Sequence, residues 1–248
     1  MMALNKKMDV ISNNMANVNT TAYKKDTVVF ESFPEVLTRR INDMRSSLNP
    51  SGRVGTMELS SDVGEIFTHF KQGQLVRTDG KLDFAFRNSD TAFYSVYAPD
   101  AEGNMREYYT RDGQFTVDPE GRLVTKDGYE VAGEDGPIYL YEGEVIIEED
   151  GTVIQNGEVA GKLIIREFAN PETLRKFGSN MVEATEETQE VEFSGSVVQG
   201  FAEQSNVNIV REMVDMITVM RSYEANQKVI QTLDGTLEKV VNEVGAVR

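Results

Sequence analysis

Apolar residues at Met1, Leu4, Met8, Ile11, Met15 and Val18 recur at alternating intervals of three and four, which places them on one face of a helix at the N-terminus. The other end of the chain repeats the pattern. Val210, Met213, Ile217 and Met220 form one block, and Ile230, Leu233, Leu237, Val240 and Val244 a second, separated by Glu224, Asn226 and Gln227. No proline interrupts residues 208–247, so one helix is predicted there, and about forty helical residues would span on the order of 60 Å. Ser205, Asn206 or Asn208 would cap its start, and Gly235 inside it costs roughly 1 kcal/mol relative to alanine. Asn13, Asn14, Asn17 and Asn19 are poor helix formers, so the first helix is expected to stop near Thr20. Burying so short a stripe does not offset the backbone entropy of ordering it, and both ends are expected to be mobile in a free monomer and to order on packing.

The middle of the chain reads differently. Asp-Gly pairs begin at Asp79, Asp112, Asp127, Asp135 and Asp150, each a candidate tight turn between short runs of strand character. Leu82, Phe84 and Phe86 alternate with Asp83, Ala85 and Arg87. Residues 115–117 and 122–124 flank the turn Asp118-Pro119-Glu120-Gly121 and predict a hairpin. Val153-Ile154, the turn Asn156-Gly157 and a strand from Leu163 to Ile165 predict another. Between the first helix and this region, Ser32 and Glu35 fit a capping box ahead of a helix face of Phe33, Leu37, Ile41, Met44 and Leu48, ended by Asn49-Pro50-Ser51-Gly52; an extended arm is the alternative. The expected fold is α+β: an N-terminal assembly helix (1–30), an extended arm or short helix (31–77), a β-rich central domain (78–190), then a connector and long C-terminal assembly helix (191–248). The two end helices are expected to pair in a coiled-coil-like assembly domain.

Charge separates the same regions. The chain carries a net charge of −16, and residues 50–199 hold 29 acidic against 13 basic residues while the flanks balance. A carboxylate surplus argues against nucleic acid as a partner, and near-neutral ends can crowd together without strong repulsion. With no cysteine and only His69 as histidine, thiolate and multi-histidine metal sites are excluded. No apolar run approaches the ~18 residues of a membrane helix, so membrane insertion is not expected. Asp9 and paired asparagines stand where a signal peptide would keep an apolar segment, so any exit from the cytosol is expected without a cleaved signal peptide. Phosphate-binding glycine loops, zinc-protease and serine-hydrolase motifs are absent. Glu148, Glu149 and Asp150 lack the spacing of a calcium loop and read as a solvated run before a turn. Paired carboxylates, with Tyr94, Tyr97, Tyr108 and Tyr109 lining a sugar groove, would make a secreted carbohydrate-active protein; strand alternation favours placing these tyrosines in a β core or on its rim. No enzyme activity, metal or cofactor is expected.

The terminal segments carry a specific resemblance. Met8 to Lys25 resembles the N-terminal signature of flagellar rod and hook proteins, with Asn13, Asn14, Ala16, Asn17, Thr20 and Lys24 in its pattern and Ala22-Tyr23 in place of the usual Gly-Phe, a change expected to alter the turn after the helix. Gln199 to Asp234 resembles the closing signature through Ser205, Asn206, Val207, Glu212, Met213, Ile217, Arg221, Tyr223, Glu224, Asn226 and Lys228. Residues 72–86 and 108–131 are similar to the β domain of rod proteins. Length and a single β domain resemble the rod more than the longer hook, and the wording from Tyr223 to Lys228 resembles the distal rod member more than the proximal one. Family chains usually begin about a turn or more of helix before the place of Met1, which implies a shortened N-terminus.

The resemblance implies an extracytoplasmic subunit of the basal-body rod, exported by the flagellar type III apparatus. It would polymerise beneath a rod cap into a helical tube that transmits torque and serves as an export channel. Its partners would be copies of itself, other rod and hook proteins, the cap and the export apparatus. The expected assembly interface comprises Leu4, Met8, Ile11, Met15 and Val18 with Val210, Met213, Ile217, Met220, Tyr223, Ile230, Leu233, Leu237, Val240 and Val244. A proximal rod or hook-type axial protein is the alternative within the family.

Overall fold

A computed structural model describes residues 2–32, 36–39, 53–57, 61–100, 102–178 and 180–244. Helix α1 runs from Met2 to Ala16 and gives way to turns at residues 17–22, as the asparagine-rich sequence requires. Helix α2 spans Ile209–Val244, 36 residues. Of the candidate caps, Asn208 fills the role: its Oδ1 accepts the Arg211 N–H at 3.1 Å. The chain divides into two compact units.

One unit comprises residues 1–13, 26–67 and 213–248. Besides the helical segments it contains two strand pairs, Asp26–Ser32 with Ser61–Thr68 and Val36–Arg39 antiparallel to Arg53–Met57. Leu37 therefore lies in a strand and not on a helix face. The β-branched Val36, Thr38, Val54 and Thr56 alternate along the second pair and favour a pleated surface over a helix. The other positions of the anticipated helix, Phe33, Ile41, Met44 and Leu48, and the Asn49–Gly52 stop lie outside the described residues.

The second unit comprises residues 14–25 and 68–212. Its largest sheet is organised around the strand Ala92–Pro99, which pairs antiparallel with Met105–Thr110 on one edge and with Glu130–Gly133 and Ile165–Phe168 on the other. Alternate side chains of this strand enter different cores. Tyr94 and Val96 join Phe84, Phe86, Tyr108 and Leu123, whereas Phe93 packs with Phe70, Phe168 and Val182. The strand Phe84–Arg87 pairs separately with Ser196–Gln199, and its Phe84, Ala85 and Phe86 are all buried, the two phenylalanines in the first core. Tyr94 and Tyr108 are thus core residues, Tyr109 is half-buried, and Tyr97 sits at the rim.

The first anticipated hairpin forms as expected, with Leu123 opposite Val117. The second keeps its Asn156-Gly157 turn, in which both residues have positive φ, but the returning strand is Glu158–Lys162. A two-residue turn leaves no slack, so pairing begins at once and Leu163 is delivered into the core beyond the strand. Residues 148–152 close a tight turn in which Asp150 accepts both the N–H and hydroxyl of Thr152.

Candidate functional site

Within the second unit the two terminal signatures meet in a polar junction. Main-chain bonds join them directly: Ala22 N–H donates to the Glu203 carbonyl at 2.8 Å, and Asn206 N–H reaches the Tyr23 carbonyl at 3.4 Å. Ala22 has φ of 59°, a left-handed conformation that glycine adopts at less cost, so the position keeps a turn of glycine type although it carries a Cβ. Asn206 is the splint. Its Oδ1 accepts the Lys25 N–H at 2.8 Å and its Nδ2 donates to the carbonyls of His69 and Lys71 at 2.7 and 3.0 Å. His69 contributes its backbone, its N–H donating to the Lys25 carbonyl at 2.9 Å.

Two buried carboxylates hold the side chains together. Glu212, in the first turn of α2, has a side chain 1% exposed; it pairs with Lys25 and accepts from Asn14 Nδ2 at 3.2 Å, while the Tyr23 hydroxyl donates to Asn14 Oδ1 at 3.3 Å. Through Asn14 and Glu212 the two end helices touch. Glu203 is the other anchor: it pairs with Lys24, receives Arg111 Nε at 3.0 Å and accepts the Gly73 N–H at 2.9 Å. A Cβ on Gly73 would stand 1.9 Å from the Gln204 carbonyl oxygen, so only glycine allows this approach. Arg111 also donates to the carbonyls of Ala92 and Ser89, both at 2.9 Å, tying the junction to the central strand.

Glu203 thus serves two cations, and the consequence is electrostatic. Burial and then repulsion from Arg111 hold the Lys24 ammonium below its ordinary value, at about 8, against the opposing pull of Glu203. Nearby, Asp112 accepts the Thr21 hydroxyl at 2.9 Å, and burial pushes its carboxyl above the usual range.

Of the signature residues, Asn14, Lys24, Asn206 and Glu212 are therefore brought together, and Val207 is buried beside them. Asn17 and Thr20 close a local turn through a 3.1 Å side-chain bond, and Ser205 accepts the Val207 N–H. Asn13, Ala16, Arg221, Glu224, Asn226 and Lys228 are exposed. On α1 the expected stripe turns inward, with Ile11 buried and Leu4, Met8 and Met15 half-buried; Val18, in the turn that follows, is half-buried as well. On α2 it does not. Glu212 and Val219 are buried and Met216 and Tyr223 half-buried, whereas Val210, Met213, Ile217, Met220, Ile230, Leu233, Leu237 and Val240 are exposed, Leu237 at 63%. Val244 closes the helix. Glu203, Arg111, Lys25 and Gly73 are not singled out by the sequence. The Arg111-Asp112-Gly113 turn was the available signal, but only the sheet brings Arg111 beneath Glu203.

Comparison with known proteins agrees with this layout. Three family models match in order: the flagella basal body rod protein over residues 1–24, the D1 domain of flagellar hook protein FlgE/F/G over 91–160, and the C-terminal part of flagellar basal body rod FlgEFG proteins over 198–243. The flagellar basal-body rod protein FlgG of Buchnera aphidicola from Acyrthosiphon pisum is 34% identical over 250 residues, covering 94% of this chain and 92% of the relative. The chain belongs to the flagellar basal-body rod protein family. FlgF of Rhizobium meliloti is 30% identical over 252 residues, covering all of this chain and 95% of that protein. FlhO of Bacillus subtilis, a flagellar hook-basal body complex protein, is 28% identical over 264 residues, covering 100% of this chain and 96% of that protein. Relatives thus divide between FlgG and FlgF, and the chain is an axial structural subunit of the basal-body rod and not an enzyme. Its junction is a structural device: it fixes the N-terminal signature, the base of α2 and the β unit in one network.

Proposed function

We propose that this rod subunit polymerises through its terminal helices, with the apolar stripe of α2 packing against neighbouring copies. The carrying observation is that stripe's exposure. Val210, Met213, Ile217 and Met220, followed by Ile230, Leu233, Leu237 and Val240, present apolar side chains to solvent along a helix of about 54 Å. An uncovered apolar face of that length calls for a partner. Head-to-tail contacts between identical subunits generate open helical filaments, the form a rod needs. Among the rod proteins the wording from Tyr223 to Lys228 favours the distal, FlgG-type member. Export unfolded through the flagellar apparatus and growth beneath a cap complete the reading. The decisive experiment replaces Met213 and Ile217 by Asp together. Incorporation into the rod is expected to be abolished while the β unit keeps its near-ultraviolet dichroism; normal incorporation overturns the helix-packing reading. Locating the subunit in purified basal bodies separates the distal from the proximal assignment.

A further inference from the structure

Beneath the turn Ala22–Lys24 lies a small cavity of about 20 Å³, whose lining includes Ala22, Lys24, Phe93, Arg111, Lys176 and Asn180. That volume suits a single water-sized or chloride-sized species. Its walls are apolar except for three cationic side chains and Asn180. Lys24 Nζ, 5% exposed, donates to Glu203 and to the Lys71 carbonyl, which uses two of its three N–H bonds. Arg111, 1% exposed, uses three of five, on Glu203, Ala92 and Ser89. Lys176 donates to the Lys24 carbonyl at 3.0 Å and lies 4.9 Å from the centre of the Tyr23 ring. Against these cations stands one buried carboxylate, Glu203, with the exposed Asp90 acting on Lys24 more weakly. Two buried cations with donors in reserve, one carboxylate and a cavity for one small species make up an incompletely neutralised site.

We propose that this cavity binds one small monovalent anion of chloride type, held by Lys24 and Arg111, and that the anion locks the N-terminal signature turn onto the β unit. The anion completes the neutralisation that Glu203 begins. Asn180 Nδ2 is committed to the Thr21 carbonyl at 3.1 Å, which orients the amide and leaves its oxygen as an acceptor side-chain atom of a lining residue. That oxygen has no hydrogen-bond partner, so a neutral water is the competing occupant that the experiment must separate. A bound anion further predicts that Lys24 keeps its proton to higher pH than the empty site allows, since a negative charge favours the ammonium.

The full chain is melted in sodium chloride, sodium bromide and sodium gluconate at equal ionic strength; gluconate is too large for the cavity. A saturable rise in Tm of about 5 °C is expected in the two halides over gluconate, because a ligand that binds only the folded state stabilises it by mass action. Lys24→Met should lose the saturable part. Crystals grown in bromide should show an anomalous peak within hydrogen-bond distance of Lys24 Nζ, a readout that stands even if the variant does not fold. Equal melting in all three salts, or density for water alone in the cavity, overturns the proposal.

Discussion

Two parts of the closing signature use their residues in opposite ways. From Glu203 to Glu212 the side chains of Glu203, Asn206 and Glu212 are matched inside the chain: Glu203 serves Lys24, Arg111 and Gly73, Asn206 makes three bonds, and Glu212 holds Lys25 and Asn14. From Met213 onward Val219 is the one buried side chain of α2 among the described residues, and the described part of its apolar stripe faces outward. Composition does not separate them, since both carry charges and apolar residues. What separates them is that the first segment crosses the β unit and has neighbours on several sides, whereas the second is a helix with one covered face. A folded subunit therefore needs the first, and we assign the second to contacts between subunits.

The comparison breaks most sharply at Glu203. Glu203→Gln leaves Lys24 and Arg111 buried without a carboxylate, and urea unfolding should register a loss of roughly 3–5 kcal/mol. A loss under 1 kcal/mol would mean that the junction is not a folding requirement. The excess cation gives the next effect. Because the folded-state value of Lys24 lies below its unfolded value of 10.5, both states hold the proton below about pH 8; between about 8 and 10.5 only the unfolded chain does, so stability contributed by this group rises with pH. Measured in sodium gluconate, where the cavity stays empty, wild type minus Lys24→Met should therefore climb across that window by on the order of 3 kcal/mol, and a flat difference there refutes the two-cation account.

Smaller changes sharpen the boundary. Tyr23→Phe removes the bond to Asn14 and should cost about 1 kcal/mol, with most of that loss absent in a Glu212→Gln background if Asn14 relays between them. Ala22→Gly should stabilise the fold by up to about 1 kcal/mol, because it relieves the left-handed alanine more than it loosens the unfolded chain; a melting midpoint below wild type would contradict that. Smallest for the isolated subunit is the paired Asp substitution at Met213 and Ile217, expected within about 0.5 kcal/mol by denaturation because both side chains are about half exposed. Its large effect belongs to assembly.

Much of this was legible along the chain. The three-and-four spacing located both end helices, Asp-Gly and Asn-Gly pairs located turns, and the alternation around Phe84 located a strand. Each is a local signal, set by backbone geometry within a few residues. Local sequence also misled where two local tendencies competed: Ser32 and Glu35 read as a helix cap, yet the β-branched Val36, Thr38, Val54 and Thr56 favour extended backbone, and their two segments pair in an antiparallel ladder. The returning strand after Asn156-Gly157 was placed some five residues late because pairing across a tight turn starts immediately.

By itself, then, the sequence determined the segments: helix at each end, acidic β body between, and a pair of signatures specific enough to name a family. Tertiary structure alone decided which distant residues act together around those signatures. That Asn14 answers Glu212 and Arg111 answers Glu203 spans separations of 198 and 92 residues, and no periodicity encodes a charge pairing across such a distance. It also decided which face of α2 is covered. A helical stripe states only that some surface must hide it, and the neighbours available within one chain are set by how the whole chain folds.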